Sequence, residues 1–498
     1  MSKKKSNANQ VPADRHPLHP ERKLVTRRDF LSTGALSFGG MVMVPSVLEM
    51  TLFARAARAG TCADTAIAGM PPLLIFDCAG GAALPGNWVP MDKGGQPLAN
   101  YSNLGLATPN SWTLDNRFGA QMAGPLPPPQ TTTIQSNIFA QLSMLDPNLQ
   151  RCIQMGTIPA TSMSDSQSNT FSPLSLVTAA GLVGSKVQTG LGMTSAQSGG
   201  NSDCGSFNPS HKPMQIKSAD ALAAALSYGP AFKALPQGVL DTLASTLMKL
   251  SGTQAQRFNN MTLGQQFTQL MQAGYLKNQG YTAGVAGIDP RVDPDCQRIY
   301  NIMANTSGSD GGVVFATLAL NAIMGNSGPA VLTIGGCDYH DGTQTSGDGK
   351  DTEIGKTMAQ ALQLAYAKGQ KITFIVYTDG GIYSDPGVRN WRGDDNQHGM
   401  AIFGVMDPKG KPTMAKTQVG WYNDAQVTDP KLNVNNNPLM VCHSLFLNYL
   451  AVAGMADRYA DIIACQDQRN TTLLPNLYSG STTAMLNDLL LFPNGKKG

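Results

Sequence analysis

No Cys-x-x-Cys pair occurs anywhere in the chain, although it carries eight cysteines. Without that spacing there is no zinc-finger and no thioredoxin-type reading. Charge is scarce too: 14% of the 498 residues are Asp, Glu, Lys or Arg, against 42% hydrophobic. That balance is globular and excludes a disordered chain. The formal charge of +3 is no sign of a nucleic-acid partner. Residues 1–59 hold ten of the 36 Lys/Arg and four of the 33 Asp/Glu, which leaves 26 basic against 29 acidic residues beyond them, a net of −3. The basic excess belongs to the first residues, so no nucleic acid is expected. Beyond residue 59 no segment is apolar for long enough to cross a bilayer. Histidine is sparse as well, with only His211, His340, His398 and His443 beyond that point.

What is present begins with a leader. Residues 1–26 are polar and basic, and Thr26-Arg27-Arg28-Asp29-Phe30-Leu31 resembles the twin-arginine export consensus. A short apolar stretch from Ala35 to Leu48 follows, and Ala57-Arg58-Ala59 offers a small-residue cleavage site before Gly60. These are the three parts of an export signal. The expectation is a signal peptide over 1–59, the twin-arginine translocase as partner during export, and a periplasmic or extracellular protein with no stable membrane span after cleavage. An uncleaved N-terminal anchor is the alternative.

The rest reads as an α/β domain over 60–498 with a helical insertion at 215–310. Leu73-Leu74-Ile75-Phe76, closed by Asp77 and Gly80-Gly81, is a buried strand and turn. Residues 84–135, rich in Pro, Gly and Asn, read as long loops, and 161–214 as surface excursions. A helix is expected near Ile138 to Leu145, and a second strand over Cys152 to Gly156. Leu240, Leu243, Leu247 and Leu250 recur at helical steps. Val313 to Met324 reads as a helix capped by Gly325. Ala330 to Ile334 is a strand, Glu353 to Lys368 an amphipathic helix closed by Gly369, and Lys371 to Tyr377 another strand. Strand, helix, strand in that order is a βαβ unit and implies a parallel sheet.

Ligands in such sheets bind beyond the carboxyl ends of the strands. Three expected strands end in an Asp near Gly: Asp77, Asp338 with His340, and Asp379. A fourth group, Asp394-Asp395-Asn396-Gln397-His398-Gly399, leads into the apolar run Ala401 to Val405. Carboxylates gathered on one edge repel unless a cation or protons compensate, and one or two divalent ions would do so. Imidazole with carboxylate suits zinc, manganese or iron; carboxylate alone suits magnesium or calcium. Taken singly, an Asp after a strand is as readily a turn-former or a helix cap. His443, in an apolar helical stretch, reads as a core or capping residue, and His211 as solvated.

Gly335-Gly336-Cys337-Asp338-Tyr339-His340 resembles the GGWDTH signature of the bacterial exported family known as domain of unknown function 1501, with Cys where Trp is usual. Gly393 to Gly399 is similar to that family's Gly-x-Asp-His-Gly element, and Tyr377-Thr378-Asp379-Gly380-Gly381 stands at the place of its Ser-Glu-Phe-Gly-Arg element. Leu73 to Pro90 resembles its first strand and loop. The family resembles in turn the alkaline phosphatase and sulfatase superfamily. The resemblance implies a three-layer, mostly parallel fold of alkaline phosphatase type and an exported metal-dependent hydrolase acting on small-molecule or polymer phosphate or sulfate esters. It implies that Asp338, His340 and His398 hold one ion and that Asp77 and Asp379 hold a second. It implies a nucleophile in Ser162 to Asn169, with Ser166 and Ser168 the candidates. Gly380 stands where the phosphatases carry a metal-binding His. The rival expectation is a catalytically degenerate fold of this type, serving as an envelope or surface binding protein. Cys78 and Cys337 each adjoin a candidate ligand, so a disulfide bracing the site and a thiolate ligand are both open.

Overall fold

The run after Pro71-Pro72 forms β1, Leu73–Cys78, with all six residues buried. Alternation sends Leu74, Phe76 and Cys78 to one side and Leu73 and Ile75 to the other. A strand buried on both faces belongs inside a covered sheet. A computed structural model of the protein places it there. The structure describes residues 15–16, 19–23, 70–98, 113–125, 136–160, 177, 182, 184, 186–187, 190–193, 213–225, 287–339, 344–378, 381–384, 391–395, 399–424, 427, 438–459 and 487–494.

Six more strands complete the sheet: β2 (Ile153–Ala160), β3 (Leu191–Gly192), β4 (Met214–Gln215), β5 (Ala330–Ile334), β6 (Ile372–Thr378) and β7 (Gly399–Met406). Their order is β2-β7-β6-β1-β5-β3-β4. From β6 through β1, β5 and β3 to β4 every pairing is parallel. β7 runs antiparallel to both β6 and β2. The sheet is therefore mixed and mostly parallel, and the protein is of the α/β class.

Helices cover both faces. On one side lie α2 (Asn137–Ser143), α6 (Gly311–Ile323) and α7 (Gln344–Ala367), packed on Leu74, Phe76 and Phe374. On the other lies α8 (Pro438–Val452), whose Val441, Leu445, Phe446 and Tyr449 meet Leu73, Ile75 and Phe403. Each such large apolar side chain contributes roughly 1.5–3 kcal/mol on leaving water. The β5–α7–β6 crossover has β1 between its two strands.

Several boundaries differ from the sequence reading. The stretch 84–135 is not all loop: it holds the one-turn α1 (Leu84–Asn87) and an antiparallel ribbon of Thr113–Asp115 with Met122–Gly124, and the short α3 (Pro147–Arg151) follows α2. Pro85 at the first turn and the buried Trp88 seat α1 despite its poor helix formers. The expected helix Glu353 to Lys368 starts nine residues earlier, at Gln344. Within the span assigned to an insertion, α4 (Ala219–Ala225) and α5 (Pro294–Tyr300) are helical, and residues 226–286, with the four leucines, lie outside the described residues. Among the described residues no helix is long and apolar enough to cross a membrane.

Candidate functional site

Because β1, β5 and β6 are parallel neighbours, their carboxyl ends share one edge. Asp77, next to last in β1, stands in register with Thr333 of β5 and Tyr377 of β6. It is fully buried, and the Thr333 hydroxyl donates to its Oδ2 at 3.1 Å. The chain then turns through Gly80 and Gly81, both with positive φ (108° and 89°). Two ladders pin that turn. The Ala79 N–H donates to the Ile334 carbonyl (2.9 Å) and the Cys337 N–H to the Ala79 carbonyl (3.0 Å). On the other flank the Thr378 hydroxyl donates to the Cys78 carbonyl and accepts from the Ala82 N–H, both at 2.8 Å.

Asp338 comes to the same turn from β5. Its half-buried carboxylate fills the space that a side chain on Gly80 would need: a Cβ there would lie 2.9 Å from Asp338 Oδ2. Of the five candidate metal ligands, Asp338 thus packs on the turn that follows Asp77. His340, Asp379 and His398 lie outside the described residues, as do Ser166 and Ser168. Among the described residues no group of three His, Cys, Asp or Glu side chains is arranged to hold a metal ion. The donors that are described fit a hard divalent cation, since they are carboxylates and one is oriented by a hydroxyl behind it.

The reversal of β7 bears on the fourth sequence group. β6 and β7 are antiparallel, with Ile372 opposite Met406 and Val376 opposite Ile402. The start of β7 at Gly399 thus lies at the carboxyl end of β6. A parallel β7 would have put it at the opposite edge. Between the two strands Gly381–Ser384 pairs antiparallel with Trp391–Asp395, Gly381 facing Asp395.

Behind this edge lies a buried polar network that the sequence reading missed. The Tyr339 hydroxyl lies 2.5 Å from Asp348 Oδ1 and 2.9 Å from Asp351 Oδ2, both on α7. The Asn87 amide donates to Asp351 Oδ2 at 2.7 Å, and the Ser136 hydroxyl donates to Asn87 Oδ1 at 2.5 Å. Ser136 in turn caps α2 by accepting from the Phe139 N–H. This chain ties the loop bearing Asp338 to α7, α1 and α2. Burial raises the Asp351 carboxyl to about 7, against the hydrogen bonds from Asn87 and Tyr339, with the charge of Asp348 adding to the rise. The available signal was the spacing of Asp348 and Asp351, three apart and so on one face of a helix.

Cys78 and Cys337 are neighbours here. Both are buried thiols, and Cys337 Sγ lies 3.1 Å from the Ile334 carbonyl that also accepts the Ala79 N–H. Burial pushes the Cys78 thiol well up, and Cys337, Asp77 and Asp351 push it further. His443 lies in the core against Tyr459, 2.6 Å from its hydroxyl, and burial lowers it to about 4. Comparison of the chain with family models, with curated proteins and with solved structures finds no match.

Proposed function

We propose that the chain is an exported, metal-dependent hydrolase of phosphate or sulfate esters, with a fold of alkaline phosphatase type and a resemblance to the family of unknown function 1501. The observation that carries the reading is the placement of Asp77 and Asp338 on the edge where parallel strands β1, β5 and β6 end, Asp77 in β1 and Asp338 against the Gly80-Gly81 turn that follows it. Asp77, Asp338 and, outside the described residues, His340, Asp379 and His398 would hold one or two divalent ions, zinc, manganese, magnesium or calcium. A bound ion supplies charge that neutralises the non-bridging oxygens of an ester and favours a deprotonated nucleophile. Ser166 or Ser168 would be that nucleophile.

The chain's own contribution is positioning. Thr333 holds the Asp77 carboxylate through Oδ2. Tyr339, fastened to α7, fixes the backbone beside Asp338. Thr378 and the two Ala79 hydrogen bonds hold the turn between the acids. Such a shell fixes the orientation of each carboxylate.

Elemental analysis of protein purified through its export route tests the reading. Stoichiometric divalent metal is expected, lost in Asp338→Ala and His340→Ala. A panel of aryl phosphates, phosphodiesters and aryl sulfates should show turnover that follows metal content. Metal-free protein with unchanged stability in both variants would overturn the proposal and favour the binding protein. Bound metal with no turnover across the panel would remove the hydrolytic part alone.

A further inference from the structure

We infer that Cys78 and Cys337 are a disulfide-forming pair that fastens the β1 turn to the loop after β5. Three observations converge on these two residues. The first is their shared place in the core: both thiols lie in one buried apolar cluster, Cys78 wholly buried and Cys337 only 1% exposed. The second is the backbone around them. Cys78 stands opposite Ile334 in the parallel ladder, and the next residues lock together through the Ala79 N–H to Ile334 carbonyl and Cys337 N–H to Ala79 carbonyl bonds. A pair held at fixed approach by hydrogen bonds on both backbones needs little movement to join. The third is where the Cys337 sulfur lies: its Sγ is 3.1 Å from the Ile334 carbonyl, the same oxygen that accepts the Ala79 N–H, so it sits beside the residue that follows Cys78, while Cys78 Sγ reaches the Phe76 carbonyl only at 4.0 Å. The other described cysteines, Cys152, Cys296 and Cys442, are also buried.

The step is a thiol–disulfide exchange with a small-molecule or protein disulfide as oxidant. One thiolate attacks the oxidant's S–S bond, a mixed disulfide forms and one reduced thiol leaves. The second cysteine then displaces the other half. Cys78 and Cys337 lose two electrons and two protons together, and the oxidant takes them up as two thiols. Because both sulfurs are buried, exchange requires the turn to open, and the closed turn then shields the bond. The inference needs neither a bound metal nor ester chemistry.

The full-length protein, equilibrated with oxidised and reduced glutathione and then denatured without reductant in the presence of iodoacetamide, tests it. Peptide mass spectrometry should find the peptides bearing Cys78 and Cys337 joined, roughly 2 Da below the sum of the two, with neither carboxamidomethylated. Recovery of both as carboxamidomethyl cysteine, or of either joined to a different cysteine, overturns the inference. A second readout is melting with and without reductant. The wild type should lose roughly 5 °C on reduction, and Cys78→Ser/Cys337→Ser should lose none. Equal loss in both proteins would also overturn it.

Discussion

Tyr339 and Asp351 meet at 2.9 Å beneath the carboxyl edge of the sheet, while the same tyrosine hydroxyl lies 2.5 Å from Asp348. A phenol has one hydrogen, so it cannot donate to two carboxylates at once. One of the two contacts must use a carboxyl proton, which agrees with a carboxyl raised to about 7 at Asp351. Removing the hydroxyl leaves the buried Asp351 and the half-buried Asp348 without the partner they share. Tyr339→Phe keeps the ring but should cost about 1–3 kcal/mol, read as a lower midpoint in urea unfolding at pH 7.

The same carboxyl gives a pH dependence with a definite sign. Its folded value of about 7 lies above the ordinary 3.8. The folded state therefore holds a proton that the unfolded state has lost. The associated stability is full below about pH 4 and disappears as pH rises through 7. Asp351→Asn cannot ionise, and its side-chain oxygen still accepts from the Asn87 amide. The stability of Asp351→Asn relative to wild type should climb between pH 4 and 7 and level off above, by on the order of a few kcal/mol. Urea unfolding at pH 4, 5.5, 7 and 8 checks it. A difference independent of pH would refute the assignment.

Sequence patterning carried β1, β5 and β6 well, because each is a short apolar run cut by Gly or Asp, but it missed the two-residue β3 and β4, which lie at the stretch 161–214 read as surface excursions. Ala330–Ile334 and Ile372–Thr378 fall within a residue of where their hydrophobicity puts them. It could not give direction. Ala401 to Val405 reads the same for a parallel or an antiparallel strand, and only tertiary pairing with β2 and β6 reverses β7. The first turns of α7 were hidden for another reason. Gln344 to Thr352 contains two glycines and several polar residues and looks like a loop, yet Tyr339 and Asn87 hold it in place. Tertiary contacts overrode local propensity there. Of the candidate site, Asp77 and Asp338 were legible as acids after strands. Thr333, Thr378 and Asp351 were not, since their roles exist only through partners far away in the chain.

Two glycines in that helix should behave in opposite ways. A Cβ on Gly347 would fall 2.1 Å from Tyr339 Cε2, whereas one on Gly349 would meet nothing within 4 Å. Gly349→Ala should stabilise by up to about 1 kcal/mol, the ordinary helical gain. Gly347→Ala must push the Tyr339 ring away and should destabilise by about 1–3 kcal/mol. Thermal unfolding of the two variants side by side gives the comparison, and equal shifts would contradict the packing.

Gly80→Ala probes the packing of Asp338 on the β1 turn directly. The residue has φ of 108°, and its added methyl would lie 2.9 Å from Asp338 Oδ2. Backbone strain of roughly 1–3 kcal/mol should lower the melting temperature. Displacement of the carboxylate should also lower divalent-metal content, measured by equilibrium dialysis on the folded variant. Reduced stability with unaltered metal content would take Asp338 out of the ligand set.

The last prediction concerns the sheet on which the site rests. Phe374 of β6 and Gly404 of β7 are cross-strand partners, and a Cβ on Gly404 would lie 2.1 Å from Phe374 Cζ. The ring also packs edge-on to Phe76 of β1, with centroids 6.5 Å apart. Glycine is weak in a strand, but here its bare backbone is the floor on which the ring lies. Gly404→Ala overpacks the pair and should cost about 1–3 kcal/mol. Phe374→Leu shortens the side chain and should cost a similar amount through lost contacts. Together they should cost less than the two separate losses, because the smaller side chain vacates the space that the new methyl needs. A double-mutant cycle by urea unfolding should return a coupling of about 1 kcal/mol or more in the compensating sense. Strict additivity would mean that the ring does not lie over Gly404, and with it the β6–β7 register that brings Gly399 to the edge bearing Asp77 and Asp338 would be wrong.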